Sequence, residues 1–354
     1  MPSIHDQAAL ECHLRDLRIN PQWLRPLRNA FYKRNEPADR ALALIPDRDR
    51  ARLSIDFHCL ELDGRHDSKI DGASKLLFRT RQGFRVESVV LRIGSGRTTL
   101  CVSSQVGCAA NCSFCATGKM GIAHNLSPGE ILDQLVQANQ LLRDERRRVR
   151  NVVFMGMGEP FHNEAALYEA LSVLQSTRCF GYSPRQVVVS TVGIPDAMRR
   201  FARRFPKTYL ALSLHCARQE QRQAIVPLAR RHTLDELRDA LQEVTSVQGQ
   251  SVMIEYLLLQ NVNDTEQDLR ALIEFVRGIP VHVNLIPYNP IEDAPQLVGT
   301  DRPRRQAFAQ ALKDAGLKVT LRYSLGSDIA AACGQLVRRE NRRVAREANT
   351  VASR

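Results

Sequence analysis

Nowhere in this chain does an apolar run reach the roughly 18 residues that a membrane-spanning helix needs, so no membrane partner is expected. The opening Met1-Pro2-Ser3-Ile4-His5-Asp6 carries neither the basic patch nor the apolar stretch of a secretory leader. Nine cysteines are too few and too unevenly spaced for a secreted disulfide scaffold. Short internal repeats and low-complexity tracts are missing too, apart from a polar, Arg-rich tail after about residue 338. These absences leave a soluble, cytoplasmic globular protein as the expectation.

What is present fits that class. Of 354 residues, 44% are hydrophobic and 25% charged, enough for at least one sizeable core and room for two domains. The charge is unbalanced: 50 lysines and arginines face 38 acidic residues, for a formal net charge of +12. Such an excess suits a polyanionic partner, because neutralising phosphates releases condensed counterions; a merely basic soluble surface would carry it equally well. The clumping of arginine favours RNA. Arg146-Arg147-Arg148 with Arg150, Arg199-Arg200 with Arg203-Arg204, Arg230-Arg231 and Arg342-Arg343 recur along the chain, and guanidinium groups both fork onto phosphates and stack on bases.

Residues 6–45 read as short helices around Leu10, Leu14, Leu17, Trp23, Leu24 and Leu27. Residues 50–97 carry the alternating runs Leu53-Ser54-Ile55-Asp56-Phe57 and Val86-Glu87-Ser88-Val89-Val90-Leu91, which favour strands and hairpins. From about residue 98, strand and helix alternate. Strands are expected at 99–103, 151–155, 186–191, 208–214, 251–259 and 281–287. Ser127-Pro128-Gly129-Glu130 and Thr233-Leu234-Asp235-Glu236 are capping boxes that open helices, and Gly278 and Gly316 are helix-ending glycines. About six βα units in series imply a parallel sheet with right-handed crossovers, curling towards a TIM-like barrel whose active site lies at the carboxyl ends of the strands. The expected fold class is therefore α/β. A partial (β/α)6 TIM-like barrel occupies residues 98–325, preceded by a small helical module (1–48) and a β extension (49–97) and followed by a C-terminal segment (326–354).

The chemically capable residues fall where such a barrel would use them. Cys108-Ala-Ala-Asn-Cys112-Ser-Phe-Cys115 follows the first strand, Gly156-Met157-Gly158-Glu159-Pro160 the second, Ser190-Thr191 the third, Ser213-Leu214-His215 the fourth and Asn289 the sixth. Thiolates are soft ligands that suit zinc and iron–sulfur clusters. Three of them on one short loop can hold three irons of a 4Fe–4S cubane and leave the fourth open. A structural zinc would want a fourth ligand, for which His124 is available at an atypical spacing. Glu159 can accept from an ammonium group, and Gly158 permits close backbone approach. His215 and Asn289 can equally be satisfied polar residues at strand ends. Cys12, Cys59, Cys179 and Cys216 are read as small buried hydrophobes, the usual state of cysteine.

The C-x3-C-x2-C spacing on this architecture resembles the radical S-adenosylmethionine (SAM) superfamily. Further stretches narrow the resemblance: Cys101-Val-Ser-Ser-Gln-Val-Gly-Cys108, Phe154-Met-Gly-Met-Gly-Glu-Pro160, Leu212-Ser-Leu-His215, Leu285-Ile-Pro-Tyr-Asn-Pro290 and Ala331-Ala-Cys333-Gly-Gln-Leu336. Over about residues 85–338 the chain is similar to the RlmN/Cfr family of RNA adenine methyltransferases. That resemblance implies a 4Fe–4S cluster on Cys108, Cys112 and Cys115. It implies SAM contacts from Gly158, Glu159, Ser190, Ser213, Leu214, His215 and Asn289, with two SAM molecules consumed per turnover. One SAM would methylate Cys333; the radical from the other would take a hydrogen from that methyl group, which then adds to the base. Cys101 would release the product by forming a disulfide with Cys333. Glu87 would accept the proton from the base, a solvated strand carboxylate being its alternative.

The partners so implied are ribosomal or transfer RNA, with an adenine flipped from its stack, and an electron donor such as flavodoxin or ferredoxin; the enzyme would act as a monomer. Carbon 2 of an adenine, in the peptidyl-transferase centre of 23S rRNA and/or in tRNA, is the expected target. Carbon 8, another RNA or a small molecule are the alternatives, and a non-catalytic RNA-binding or zinc module is the reading from a different class. Pro21-Gln-Trp23-Leu-Arg-Pro26 and Phe31-Tyr32-Lys33-Arg34 depart from the family pattern in the N-terminal module, which leaves the choice of RNA open.

Overall fold

The computed structural model describes residues 1–336 and residue 341; Arg342-Arg343 and most of the Arg-rich tail lie outside the described residues. One ten-stranded sheet organises the chain. Its first three strands, β1 (Leu60–Asp67), β2 (Ala73–Thr80) and β3 (Arg85–Arg92), are antiparallel and pair on to β4 (Thr98–Cys101). Next, β5 (Gln105–Gly107) and β6 (Ile122–Asn125) form a separate antiparallel pair. From β4 the main sheet continues in parallel through β7 (Asn151–Phe154), β8 (Val187–Thr191), β9 (Tyr209–Ser213), β10 (Val252–Leu258), β11 (Val281–Pro287) and β12 (Lys318–Leu321). The six expected parallel strands are present. The seventh, β12, is not announced by the sequence because it is short and nowhere fully buried, so it lacks the apolar run of its neighbours. β1 and β12 do not pair with each other, and the barrel wall stays open between them.

Helix starts follow the local chemistry. Ser127 Oγ accepts from the Glu130 N–H at 3.2 Å while Glu130 Oε2 accepts from the Ser127 N–H at 2.8 Å, and the helix Pro128–Arg143 buries Ile131, Leu132, Leu135 and Leu142 against the sheet. Thr233 and Glu236 repeat the device for Leu234–Gln248. Gly316, at φ +83°, ends the helix Arg302–Asp314 in the left-handed conformation that suits glycine.

The stretch Leu53–Phe57 is not a strand. Its backbone pairs with residues 2–4, through Ile4 N–H to Asp56 O (2.8 Å) and Asp56 N–H to Pro2 O (2.9 Å), while Leu53 N–H closes a turn onto Arg50 O (3.1 Å), so alternation here serves docking of the amino terminus rather than a ladder. The expected helices around Leu10, Leu14 and Leu24 are present as Gln7–Asp16, Leu24–Arg28 and shorter turns. Leu10, Leu14, Leu27 and Phe31 are wholly buried in a core continuous with that of the barrel, at about 1.5–3 kcal/mol per side chain. The Phe31 ring meets Phe57 edge-on at 5.0 Å, and Tyr32 meets Phe180 at 4.5 Å.

After β12 the chain turns across the open side of the sheet. Asp328 accepts from Ser68 Oγ (2.8 Å) and from the Lys69 N–H (2.9 Å), and Asp71 accepts from the Gly326 N–H (2.8 Å), all at the β1–β2 turn. At its other end the segment is held beyond β11, where Gln335 Nε2 donates to Pro290 O at 3.1 Å.

Candidate active site

A cavity opens at the carboxyl ends of the parallel strands. Cys108, Cys112 and Cys115 line it together with Gly158, Glu159, Ser190, Ser213, His215 and Cys333. The cysteine loop is held from both sides: Ser113 N–H donates to Ile225 O (2.9 Å), and Ala116 N–H to Gly334 O (2.8 Å) beside Cys333. Thr117 Oγ1 donates to Leu336 O. Gly118 permits the tight turn, since a Cβ there would lie 2.9 Å from the Cys112 nitrogen.

Burial pushes the Cys108 thiol up to about 12 and raises Cys112 and Cys115 as well, with the neighbouring cysteines adding to the shift at Cys108 and Cys112. Such thiols ionise only against a bound cation, which displaces their protons. Among the described residues, no three His, Cys, Asp or Glu side chains are placed to hold a metal ion; three soft thiolates on one loop are the donor chemistry of an iron–sulfur cluster. His124 stacks on Phe84 at 5.2 Å and approaches Glu130 at 3.8 Å, and it does not line the cavity. The donor set therefore fits a cluster.

The glycine turn after β7 aims Glu159. Gly158 has φ +109°, and a Cβ there would meet Gln105 at 2.7–2.8 Å. Glu159 Oε1 accepts from the Phe161 N–H (3.0 Å) and Oε2 from the Val192 N–H (2.8 Å). Burial nevertheless pushes its carboxyl up to about 7, so a cationic partner in the cavity would favour the ionised form. Ser190 Oγ and Ser213 Oγ lie 3.2 Å apart. His215 sits at φ +57°. Its Nδ1 accepts from the Leu257 N–H at 3.1 Å, which puts the proton on Nε2. Burial and then the charge of Arg222 push it down to about 3, so it is a neutral donor.

Leu214 and Asn289 behave differently from the other expected SAM contacts. Leu214 is fully buried, its N–H donating to Glu255 O (3.1 Å) and its C=O accepting from Arg222 Nε (3.1 Å). Asn289 donates to Cys333 O at 3.1 Å. Neither lines the cavity.

Cys333 is exposed at the cavity margin, with its thiol raised first by the enclosing protein and then by Glu255. Cys101 is buried at the end of β4; burial raises its thiol, and the charge of Cys333 adds to the effect. The pairings Val89↔Cys101 and Leu77↔Glu87 put Lys75, Glu87 and Cys101 on one face of the sheet. Glu87 is 1% exposed and pairs with Lys75 Nζ at 3.4 Å, which overturns the alternative of a solvated strand carboxylate. Lys75 Nζ in turn donates to Ala330 O at 3.3 Å. Of the cysteines read as small buried hydrophobes, Cys179 and Cys216 are buried, Cys59 is half-buried and Cys12 is exposed, because its helix turns that position to solvent.

A sequence profile of the radical SAM superfamily matches residues 102–276. A probable RNA methyltransferase from Rhodopirellula baltica is 53% identical over 99% of this chain and 90% of its own length. The chain belongs to the RlmN-type family of radical SAM RNA methyltransferases. A probable dual-specificity RNA methyltransferase RlmN from Chlorobium luteolum is 42% identical over 81% of this chain and 82% of its own. A solved radical SAM methyltransferase from Sphaerobacter thermophilus superposes with a TM-score of 0.90 at 36% identity, covering 95% of this chain and 99% of that one. Membership implies a 4Fe–4S cluster and SAM as the cofactors.

An acid that the motifs did not flag, Glu255, also borders the RlmN-type cavity. Glu255, on β10, accepts from Asn284 Nδ2 at 2.9 Å, and burial raises its carboxyl. The signal was available: an acid inside Val252-Met-Ile-Glu-Tyr-Leu-Leu258 and an amide inside Val281-His-Val-Asn-Leu-Ile-Pro287 are polar residues in otherwise apolar strands. Lys75 stands in β2 among Ser74, Arg79 and Thr80, so no such contrast marks it.

Proposed function

We propose that this enzyme methylates carbon 2 of an adenine in RNA by way of a methylated Cys333. The substrate we favour is an adenine of the 23S rRNA peptidyl-transferase centre and/or of tRNA; relatives bearing the name dual-specificity RNA methyltransferase support it. The observation that carries the mechanism is convergence: the three-cysteine loop and Cys333 border one cavity, and the Cys101 thiol lies within electrostatic reach of Cys333.

The ring carbon is electron-poor and does not attack a sulfonium methyl unaided. The cluster on Cys108, Cys112 and Cys115, when bound, supplies the electron that splits SAM and so opens a radical route; an outside donor such as flavodoxin or ferredoxin restores that electron. Glu159 accepts from the SAM ammonium, Gly158 lets it approach, and His215 offers an Nε2–H from a ring held by Leu257. Ser190 and Ser213 supply hydroxyls on the same wall. Leu214, with its backbone engaged, shapes the turn that orients His215, and Asn289 holds the Cys333 backbone.

Two SAM molecules are used per turnover, one as methyl donor to the Cys333 sulfur. A hydrogen atom of that methyl group would pass to the radical formed from the second SAM, the methylene carbon would then bond to the base, and the electron left on the adduct would return to the cluster. Glu87, beside Lys75, takes the proton from the target carbon. The Cys101 sulfur then bonds to the Cys333 sulfur, the sulfur–carbon bond breaks, and the departing carbon takes a proton to become the product methyl. The disulfide left behind needs two electrons from an outside thiol before the next cycle.

Cys333→Ala is expected to abolish RNA methylation while SAM cleavage stays measurable; full methylation by that variant would refute the route. Cys101→Ala is expected to accumulate an RNA–protein adduct seen on denaturing gels, and its absence counts against the resolving role. Mass spectrometry of nucleosides from cells with and without the gene distinguishes 2-methyladenosine from 8-methyladenosine.

A further inference from the structure

At the amino ends of β4, β7 and β8, on the opposite side of the sheet's strands from the cavity, a pocket is lined by Thr98, Gln186, Arg146, Arg147, Arg148 and Arg150. Strands rise about 3.3 Å per residue, so Thr98 lies roughly 10 Å from Cys101 along β4, with the cavity beyond it. These arginines stand at the far end of the strands from a nucleotide held at the mouth.

Two independent observations mark the pocket as built for an anion. The first is unspent positive charge. Arg146, Arg148 and Arg150 are exposed. The carboxylate among the lining residues, Glu145, is committed elsewhere, with Arg92 at 2.6 Å to each oxygen and Arg65 at 3.2 Å. Arg147 donates to Gly96 O at 3.4 Å, and Arg148 acts on the Tyr182 hydroxyl. The second is Thr98, which is 1% exposed and whose Oγ1 has no partner. A buried hydroxyl left unpaired is costly, and Thr98 stands in the wall of a pocket of guanidinium groups. The carboxyl end of the helix Pro128–Arg143 attracts cations by itself, which accounts for arginine here but not for the orphan hydroxyl. Arg146 also holds φ +53°, a position glycine would fill more easily.

We propose that this pocket binds a backbone phosphate of the RNA, at a segment remote from the nucleotide being methylated. The hydroxyl and the guanidinium groups all donate, and a phosphodiester offers only acceptors. The proposal rests on RNA being the substrate. It makes the enzyme grip a large folded RNA at two ends of the barrel, and a minimal stem-loop at one.

The test compares wild type, the combined variant Arg146→Gln/Arg148→Gln/Arg150→Gln, and Thr98→Val. Filter binding is measured across a KCl series with a long large-subunit rRNA transcript and with a short stem-loop carrying only the target. The arginine variant is expected to bind the long RNA about tenfold or more weakly, with a slope of log K against log salt shallower by about one for each phosphate it no longer neutralises. Its stem-loop binding and methylation should match wild type. Thr98→Val keeps every charge, so a several-fold weaker grip on the long RNA at an unchanged slope separates a built site from diffuse attraction. Long-RNA binding unchanged in both variants overturns the proposal. So does a second result: inorganic phosphate that raises the melting temperature of wild type but not of Thr98→Val, with RNA binding unaltered, which assigns the pocket to a small anion. If wild type neither binds nor methylates either RNA, the functional reading falls and takes this inference with it; loss of the remote grip alone leaves that reading standing.

Discussion

Glu159 concentrates the conflict between stability and ligand binding in one side chain. Buried without a cation, its carboxyl titrates near 7, against about 4.3 for an unperturbed glutamate. Between those values the folded chain holds a proton that the unfolded chain has lost, so stability falls as pH rises through that window. Glu159→Gln removes the penalty. Its melting temperature without cofactors is expected to exceed that of wild type at pH 8 and to match it near pH 4, while SAM binding is lost; equal melting curves at pH 8 would contradict the assigned burial. The same residue shows what sequence could reveal at this scale. Glu159 and the three cysteines are legible because each stands in a short motif, G-x-G-E or C-x3-C-x2-C, on a turn after a strand. Lys75, Glu255 and Asn284 draw their meaning from neighbours on other strands; the apolar strands around Glu255 and Asn284 mark the positions but not the partners.

At the scale of the element, the turn from Gly156 to Glu159 is a packing device as much as a ligand contact. A Cβ at Gly156 would lie 2.6 Å from Ser103 Oγ, and one at Gly158 would strike Gln105 from a backbone at φ +109°. Gly158→Ala must displace either the turn or the start of β5, whose Gln105 Oε1 accepts from the Glu159 N–H at 2.9 Å. SAM affinity is expected to drop by more than tenfold with a loss of about 1–3 kcal/mol in stability; isothermal titration and thermal melts of the reconstituted protein read both. Elements are otherwise legible where two signals agree, as in Pro128–Arg143, with its capping box and apolar stripe. They mislead where one stands alone. Leu53–Phe57 alternates without a neighbouring strand to complete it, and β12 pairs with β11 without the apolar run that would announce it.

For the whole molecule, the amino-terminal helices and the barrel share one interior. Leu10, Leu14, Leu27 and Phe31 belong to the same core as Leu100 and Leu132, and Arg143 pairs with Glu36 at 2.8 Å. Removing residues 1–48 is therefore expected to yield aggregated or poorly folded protein rather than an active barrel, as size-exclusion chromatography of the truncated chain would report. The open flank between β1 and β12 gives the other molecular consequence. The strip of chain that carries Cys333 is fastened to the β1–β2 turn at one end and beyond β11 at the other, like a strap over a split seam. If a nucleobase becomes bonded to that strap, the fastening and the reactive centre are one object. Loosening it at Ser68 or Asp328, at the β1–β2 turn, then alters how firmly the bonded RNA is held.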